Sequence, residues 1–159
     1  MSIIIISSDA TESEKEIGGK VAAATEYQLL DRSILPSVAK QYEIDVDRLK
    51  EALDNRPSWL QKMPPKLWRF LLTAIEAHVC DRLLEDRMVC LGLGAHLYVR
   101  DVSHVLKVRI LSPKENNNGR YSEHRKKWSL EAYGFDETNP SYFDLVINLD
   151  NISIDEAVQ

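Results

Sequence analysis

The junction Ile3-Ile4-Ile5-Ile6-Ser7-Ser8-Asp9-Ala10-Thr11-Glu12-Ser13-Glu14-Lys15-Glu16-Ile17 constrains this chain more than any other stretch. Four consecutive isoleucines read as a buried strand, and a polar turn follows. Ile17, Val21 and Ala24 then recur at helical spacing, which predicts a helix from Glu12 to about Glu26. At such a junction an α/β domain can hold a phosphate-binding loop, whose backbone N–H groups curl around phosphate oxygens. That curl asks for glycines, because a Cβ would stand in the way. None occurs here before Gly18, and Asp9, Glu12, Glu14 and Glu16 bring four carboxylates to the place where a phosphate would rest. Thr11 and Glu14 have the spacing of a capping box, which would satisfy the helix's own first N–H groups instead.

Further along, Leu29-Leu30 fits a very short strand or a buried turn. Ile34, Leu35, Val38, Ala39 and Tyr42 mark a second helix, and Asp45 is placed to cap a third carrying Val46, Leu49 and Leu53. A loop from Asn55 ends at Pro65, at a first helical position. The longest helix runs from Lys66 to about Leu84, with Leu67, Phe70, Leu71, Ala74, Ile75, Val79 and Leu83 as its inner stripe. Met88–Leu93 is nearly all apolar, as a strand buried on both faces should be. Val105–Leu111 alternates in its middle, which puts Lys107 and Arg109 on one face, exposed or paired. The segment 114–120 is turn-rich, Glu123–Tyr133 is helical, Phe143–Asn148 reads as a last strand, and Ser153 with Glu156 forms a capping box opening a final helix. Strands alternating with helices imply a mostly parallel sheet covered on both sides, in one domain spanning residues 1–159.

The net charge of −5 gives no electrostatic footprint for nucleic acid. The longest apolar run, Ile3–Ile6, is too short for a membrane span and lacks a charged segment before it, so a cytoplasmic protein is expected. Cys80 and Cys90 lack metal-ligand spacing and read as reduced thiols, and no histidine pair suggests a metal.

Several blocks of the chain resemble the cytidylate-kinase-like family of P-loop proteins. They are Tyr27-Gln28-Leu29-Leu30-Asp31-Arg32, the stretch from Val89-Cys90-Leu91-Gly92-Leu93-Gly94-Ala95-His96 through Val105–Ile110, Arg125-Lys126-Lys127-Trp128, and Tyr133-Gly134-Phe135-Asp136 through Asn139–Asn148. The resemblance implies a three-layer αβα nucleoside-monophosphate-kinase fold: a five-stranded, mostly parallel sheet, a helical insertion for the monophosphate and a small lid over ATP. Three departures stand out. The family's glycine-rich stretch is replaced by Thr11-Glu12-Ser13-Glu14, with Lys15 matching the basic residue after it. Gly-Arg-Asp is replaced by Gly92-Leu93-Gly94. The helical lid shrinks to 114–123, leaving Arg120, Arg125 and Lys126 as candidates to neutralise a transferring phosphoryl group.

Three functions follow as expectations. The leading one is a kinase-like domain with a degenerate nucleotide site, weak or inactive, serving as a nucleotide sensor or protein-interaction module. The enzyme alternative is an ATP- and magnesium-dependent nucleoside-monophosphate kinase acting on a CMP-like substrate, with Lys15, Arg120 and Arg125 as catalytic residues. The third is a structural domain that binds no nucleotide, with a protein partner or a second copy of the chain in its place. The phosphate-loop positions are Asp9, Ala10, Thr11, Glu12, Ser13, Glu14, Lys15 and Glu16. Asp31, Arg32, Gly92 and His96 stand on the monophosphate side, at strand ends where open α/β sheets bind ligands. Asp31 also fits an N-cap for the helix that starts near Ser33.

Overall fold

A computed structural model describes residues 3–8, 11–58, 62–112 and 120–159. Five parallel strands form one sheet: β1 (Ile3–Ser8), β2 (Gln28–Leu30), β3 (Met88–Leu91), β4 (Val105–Leu111) and β5 (Leu145–Asn148), in the order β2-β3-β1-β4-β5. The register pairs Ile5 with Cys90 on one side and with Lys107 on the other. The helices are α1 (Thr11–Thr25), α2 (Leu35–Tyr42), α3 (Val46–Asp54), α4 (Pro65–Leu83), α5 (Ala95–Tyr98), α6 (Arg120–Tyr133) and α7 (Ile154–Val158). Parallel neighbours need crossovers, and the helices supply them on both faces of the sheet.

Period-two alternation divides the core in two. Ile3 and Ile5 of β1, with Met88 and Cys90 of β3, face α2, α3 and α4 in the larger cluster. Ile6, Val89 and Leu91 face Ile17 of α1 on the opposite side, with Ile154 and Val158 of α7 packed against them. This is the αβα layering that the alternation of strands and helices implies. Gly18 permits the close approach of α1 to β3, since a Cβ there would stand 2.4 Å from Leu91 Cδ2.

The caps follow the sequence. Asp45 accepts from Asp47 N–H at the start of α3, Pro65 is at the first turn of α4, and Ser153 with Glu156 closes a full capping box on α7. Both cysteines are free thiols, with Cys90 fully buried. No helix among the described residues is long and apolar enough to cross a membrane.

Several expectations need correction. Phe70 is 52% exposed, and the inner face of α4 uses Trp68 and Leu72 instead. The strand expected over Met88–Leu93 stops at Leu91, because Gly92, Leu93 and Gly94 all adopt left-handed backbone (φ 61°, 59° and 72°) and turn the chain into α5. The last strand opens at Leu145 rather than Phe143, and α6 begins at Arg120 rather than Glu123. Lys107 and Arg109 are the paired rather than the exposed version of their alternation. Lys107 Nζ bonds the Arg100 carbonyl at 3.2 Å and lies 3.8 Å from Asp144, and an Arg109 Nη donates to Ser7 Oγ at 3.0 Å. The turn-rich segment 114–120 falls, except for Arg120, outside the described residues, as does Trp59.

Candidate functional site

At the C-terminal edge of the sheet, the ends of β1, β2 and β3 converge on a cavity of about 510 Å³. This is where open α/β sheets present ligands, because the loops leaving neighbouring strands diverge to opposite faces and leave a crevice. Its walls include Ser7 and Ser8 from β1, Glu14 and Lys15 from α1, Asp31 and Arg32 after β2, Gly92 and His96 beyond β3, and Arg125 from α6. Seven of the sequence-chosen positions therefore meet at one place: Glu14, Lys15, Asp31, Arg32, Gly92, His96 and Arg125.

Others do not. Arg120 is exposed at the start of α6 and does not line the cavity. Glu12 and Glu16 are exposed on α1, where Glu16 pairs with Lys20 at 3.0 Å, so two of the four carboxylates turn away. Ser13 is buried at 5% exposure and does not line the cavity. Asp9, Ala10 and the Thr11 side chain lie outside the described residues, and the Thr11 half of the expected capping box with them.

The Glu14 half is visible, and its carboxylate turns inward. Its two oxygens lie over Gly92, 3.6 and 3.7 Å from where a Cβ would stand. Desolvation raises the carboxyl to about pH 7 against the opposing pull of Arg32, Arg109 and Arg125, in that order, and of the Ser8 backbone N–H. The effect on stability has a definite sign. The native state holds a proton on Glu14 between its unfolded value of 4.5 and about 7, so this group's contribution is greatest below the lower value and is lost as pH rises through the upper. A loss of about 2 kcal/mol is expected across that window, after discounting for the partial exposure of the residue. Urea melts at pH 5 and pH 7.5 should show this slope in the parent and its absence in Glu14→Gln; equal slopes would contradict the assignment.

Two of the cations that line the cavity are already held. Arg32 reaches Asp54 at 2.7 Å. Arg125 grips both oxygens of Glu137 at 2.6 and 3.0 Å, donates to the Leu53 carbonyl at 2.8 Å, and lies 4.0 Å over the Trp128 ring. Asp31 accepts from Ser33 N–H at 2.8 Å as the cap of a 3-10 turn, Arg32–Ile34, so the capping role read from the sequence is present at the cavity wall.

His96 forms part of the floor. It is 1% exposed and stacks against Phe143 at 4.8 Å, and neither ring nitrogen has a hydrogen-bond partner among the described residues. The Glu137 backbone faces the ring without a well-aligned bond. Burial, reinforced by Arg109 and Arg125, lowers the imidazole to about pH 3, so it is neutral under ordinary conditions. Asp54, Tyr121 and Glu137 also line the cavity and were not singled out in the sequence. Glu137 pairs with an arginine twelve residues away across a turn, a spacing that no helix or strand period reveals.

Known proteins agree with this architecture. A model of the cytidylate kinase-like family matches residues 3–129. Cytidylate kinases from Saccharolobus islandicus strains L.S.2.15 / Lassen #1 and M.14.25 / Kamchatka #1 are each 24% identical over 165 residues, spanning 99% of this chain and 87% of theirs. A crystal structure of an uncharacterized protein from Eubacterium ventriosum ATCC 27560 superposes with a TM-score of 0.65 at 15% identity, over 99% of this chain and 93% of that one, a likeness of fold alone. With four-fifths of its length matched by the family model and the sheet order in place, the chain belongs to the cytidylate kinase-like family.

Proposed function

We propose that this chain is a kinase-like module without efficient phosphoryl transfer from ATP, whose cavity serves ligand sensing or interaction rather than catalysis. The observation that carries the reading is the inward Glu14 carboxylate over Gly92, in the wall of the cavity. A magnesium–triphosphate does not fit this set of residues. Among the described residues the lining holds four carboxylates (Glu14, Asp31, Asp54 and Glu137) against three cations (Lys15, Arg32 and Arg125), and two of those cations are committed to Asp54 and Glu137. A highly charged ligand would meet Glu14 where it most needs positive potential. Leu93 deepens the difference: it stands in the family's Gly-Arg-Asp stretch, yet it is buried in the larger core and brings no charge.

One observation favours the enzyme alternative. Lys15 is exposed and borders the cavity, where it could meet a phosphate. Arg120 gives that alternative no support from outside the cavity, and Arg125 is spoken for by Glu137. A coupled assay of phosphoryl transfer from MgATP to CMP decides between them. No turnover above the blank is expected, whereas turnover on the order of 1 s⁻¹ or faster, the ordinary range for an enzyme, would overturn the proposal.

A further inference from the structure

We propose that β5 is a dimerisation edge: two copies of the chain join antiparallel along it, about a two-fold axis at Val146, into one continuous sheet. The inference goes beyond the reading of the cavity and does not depend on what the cavity binds.

Among the described residues β5 stands at the end of the sheet and pairs with β4 alone. An edge strand presents unpaired N–H and C=O groups along its outer side, and folds blunt such an edge with charge, proline or a covering segment. The strand itself, Leu145-Val146-Ile147-Asn148, carries neither a charge nor a proline. Leu145 and Val146 are 47% and 42% exposed, and Ile152 beyond the strand is exposed as well. Successive side chains point to opposite faces, so this edge is apolar on both sides. At its N-terminal end Tyr142 meets Phe135 edge to face at 6.0 Å, and Arg100 lies 4.0 Å over the Phe135 ring. Tyrosine, phenylalanine and arginine are residue types that protein interfaces concentrate.

Backbone direction and side-chain pattern set one register. The Asp144 N–H donates to the Lys107 carbonyl at 2.8 Å, so even positions of the strand address β4 while Leu145 and Ile147 address the open side. An antiparallel approach centred on Val146 sets Leu145 opposite Ile147 of the second copy as a hydrogen-bonded pair. Val146 then meets its own counterpart as a non-hydrogen-bonded pair, where side chains come closest. All of these are aliphatic pairs, and Asp144 falls opposite Asn148 rather than opposite another carboxylate. Charge selects the same arrangement. At the N-terminal end of β5, Lys107 Nζ lies 3.8 Å from Asp144 and answers it. Arg100 is exposed at that end and reaches its chain neighbour Asp101 at 3.4 Å. The segment after the strand, 149–159, holds Asp150, Asp155 and Glu156 and no basic residue. Antiparallel pairing brings the arginine end of each copy to the acidic end of the other, whereas parallel pairing would set like ends together. A strand pair this short buries less than a standard interface, which places the dimer in the weak, exchanging class.

Sedimentation equilibrium of the whole chain tests this. The average mass should rise from that of one chain towards that of two between about 10 µM and about 1 mM. Leu145→Lys puts a charge on the edge and should weaken association about tenfold or more. Leu145→Pro removes an outward N–H while sparing the bonds to β4, and should do the same. If the proline variant fails to fold, the lysine variant, altered at an exposed side chain, carries the test. Arg100→Glu should also weaken association, and adding Asp150→Arg to it should restore the parent's behaviour. Leu29→Lys, at an exposed position on the opposite edge strand β2, should associate as the parent does. A single-chain mass at about 1 mM, association that ignores the Leu145 variants, or growth beyond two copies would overturn the inference. Failure of the double charge exchange to restore association would overturn the antiparallel register.

Discussion

Trp128→Ala is expected to destabilise the fold by about 3–5 kcal/mol, the range for removing a fully buried aromatic side chain. Trp128 and Trp68 are 0% and 1% exposed and meet edge to face at 6.2 Å. Both indole N–H groups donate to the same acceptor, the Ala52 carbonyl, at 2.9 Å each. The two rings thus tie α6 and α4 to the last turns of α3. Deleting Trp128 opens a large void and removes the surface under the Arg125 guanidinium. Trp128→Phe should lose less, about 1–2 kcal/mol, because Trp68 still serves the Ala52 carbonyl and a ring still fills most of the space. Denaturant melts of both variants check the ordering, and a loss below 1 kcal/mol for the alanine variant would contradict the packing described.

The second large effect is expected at the ion pair behind the cavity. Arg125 and Glu137 side chains are only 12% and 4% exposed, and their contact is bidentate. Glu137→Ala leaves a buried guanidinium with the Leu53 carbonyl and the Trp128 ring but no carboxylate in contact, which should cost about 3–5 kcal/mol. Removing both charges is different in kind. Arg125→Met with Glu137→Leu takes away the desolvation penalty together with the attraction, so the double variant should be more stable than Glu137→Ala alone. Urea midpoints for the single and double variants measure the coupling. A Glu137→Ala variant as stable as the parent would mean that the pair contributes nothing to holding α6 over the cavity.

The parts of this fold that the sequence discloses are those set by local chemistry. Ile3–Ile6 and Met88–Leu91 are continuous apolar runs, and only strands covered on both faces tolerate them. Asp45, Pro65 and the Ser153–Glu156 pair mark helix starts through caps that need no tertiary partner. The parts it conceals are set by what packs where. Helix α5 is four residues long and begins after three successive left-handed residues, one of them Leu93, so no period announces it. Phe70 has the right spacing for the inner stripe of α4, yet Trp68 takes the buried place because its N–H finds Ala52.

The site divides in the same way. Lys15, Asp31, Arg32, Gly92, His96 and Arg125 stand at strand ends or helix starts that the family resemblance brings forward, and the structure gathers them around one cavity. The four carboxylates at the first junction look equivalent in sequence. Helical phase separates the three on α1, turning Glu14 inward and sending Glu12 and Glu16 to solvent. Asp54, Tyr121 and Glu137 reach the cavity from α3, from α6 and from the loop beyond α6, and their roles depend on a tertiary arrangement that spacing does not encode.

The most direct measurement is a calorimetric titration of the intact chain with MgATP at pH 8, where Glu14 carries its charge. With that carboxylate turned into the cavity over Gly92, the dissociation constant should be on the order of a millimolar or weaker, about 4 kcal/mol of binding or less. Saturable binding in the low micromolar range would mean that the inward Glu14 does not keep a triphosphate out, and the account of this cavity as unsuited to MgATP would be wrong.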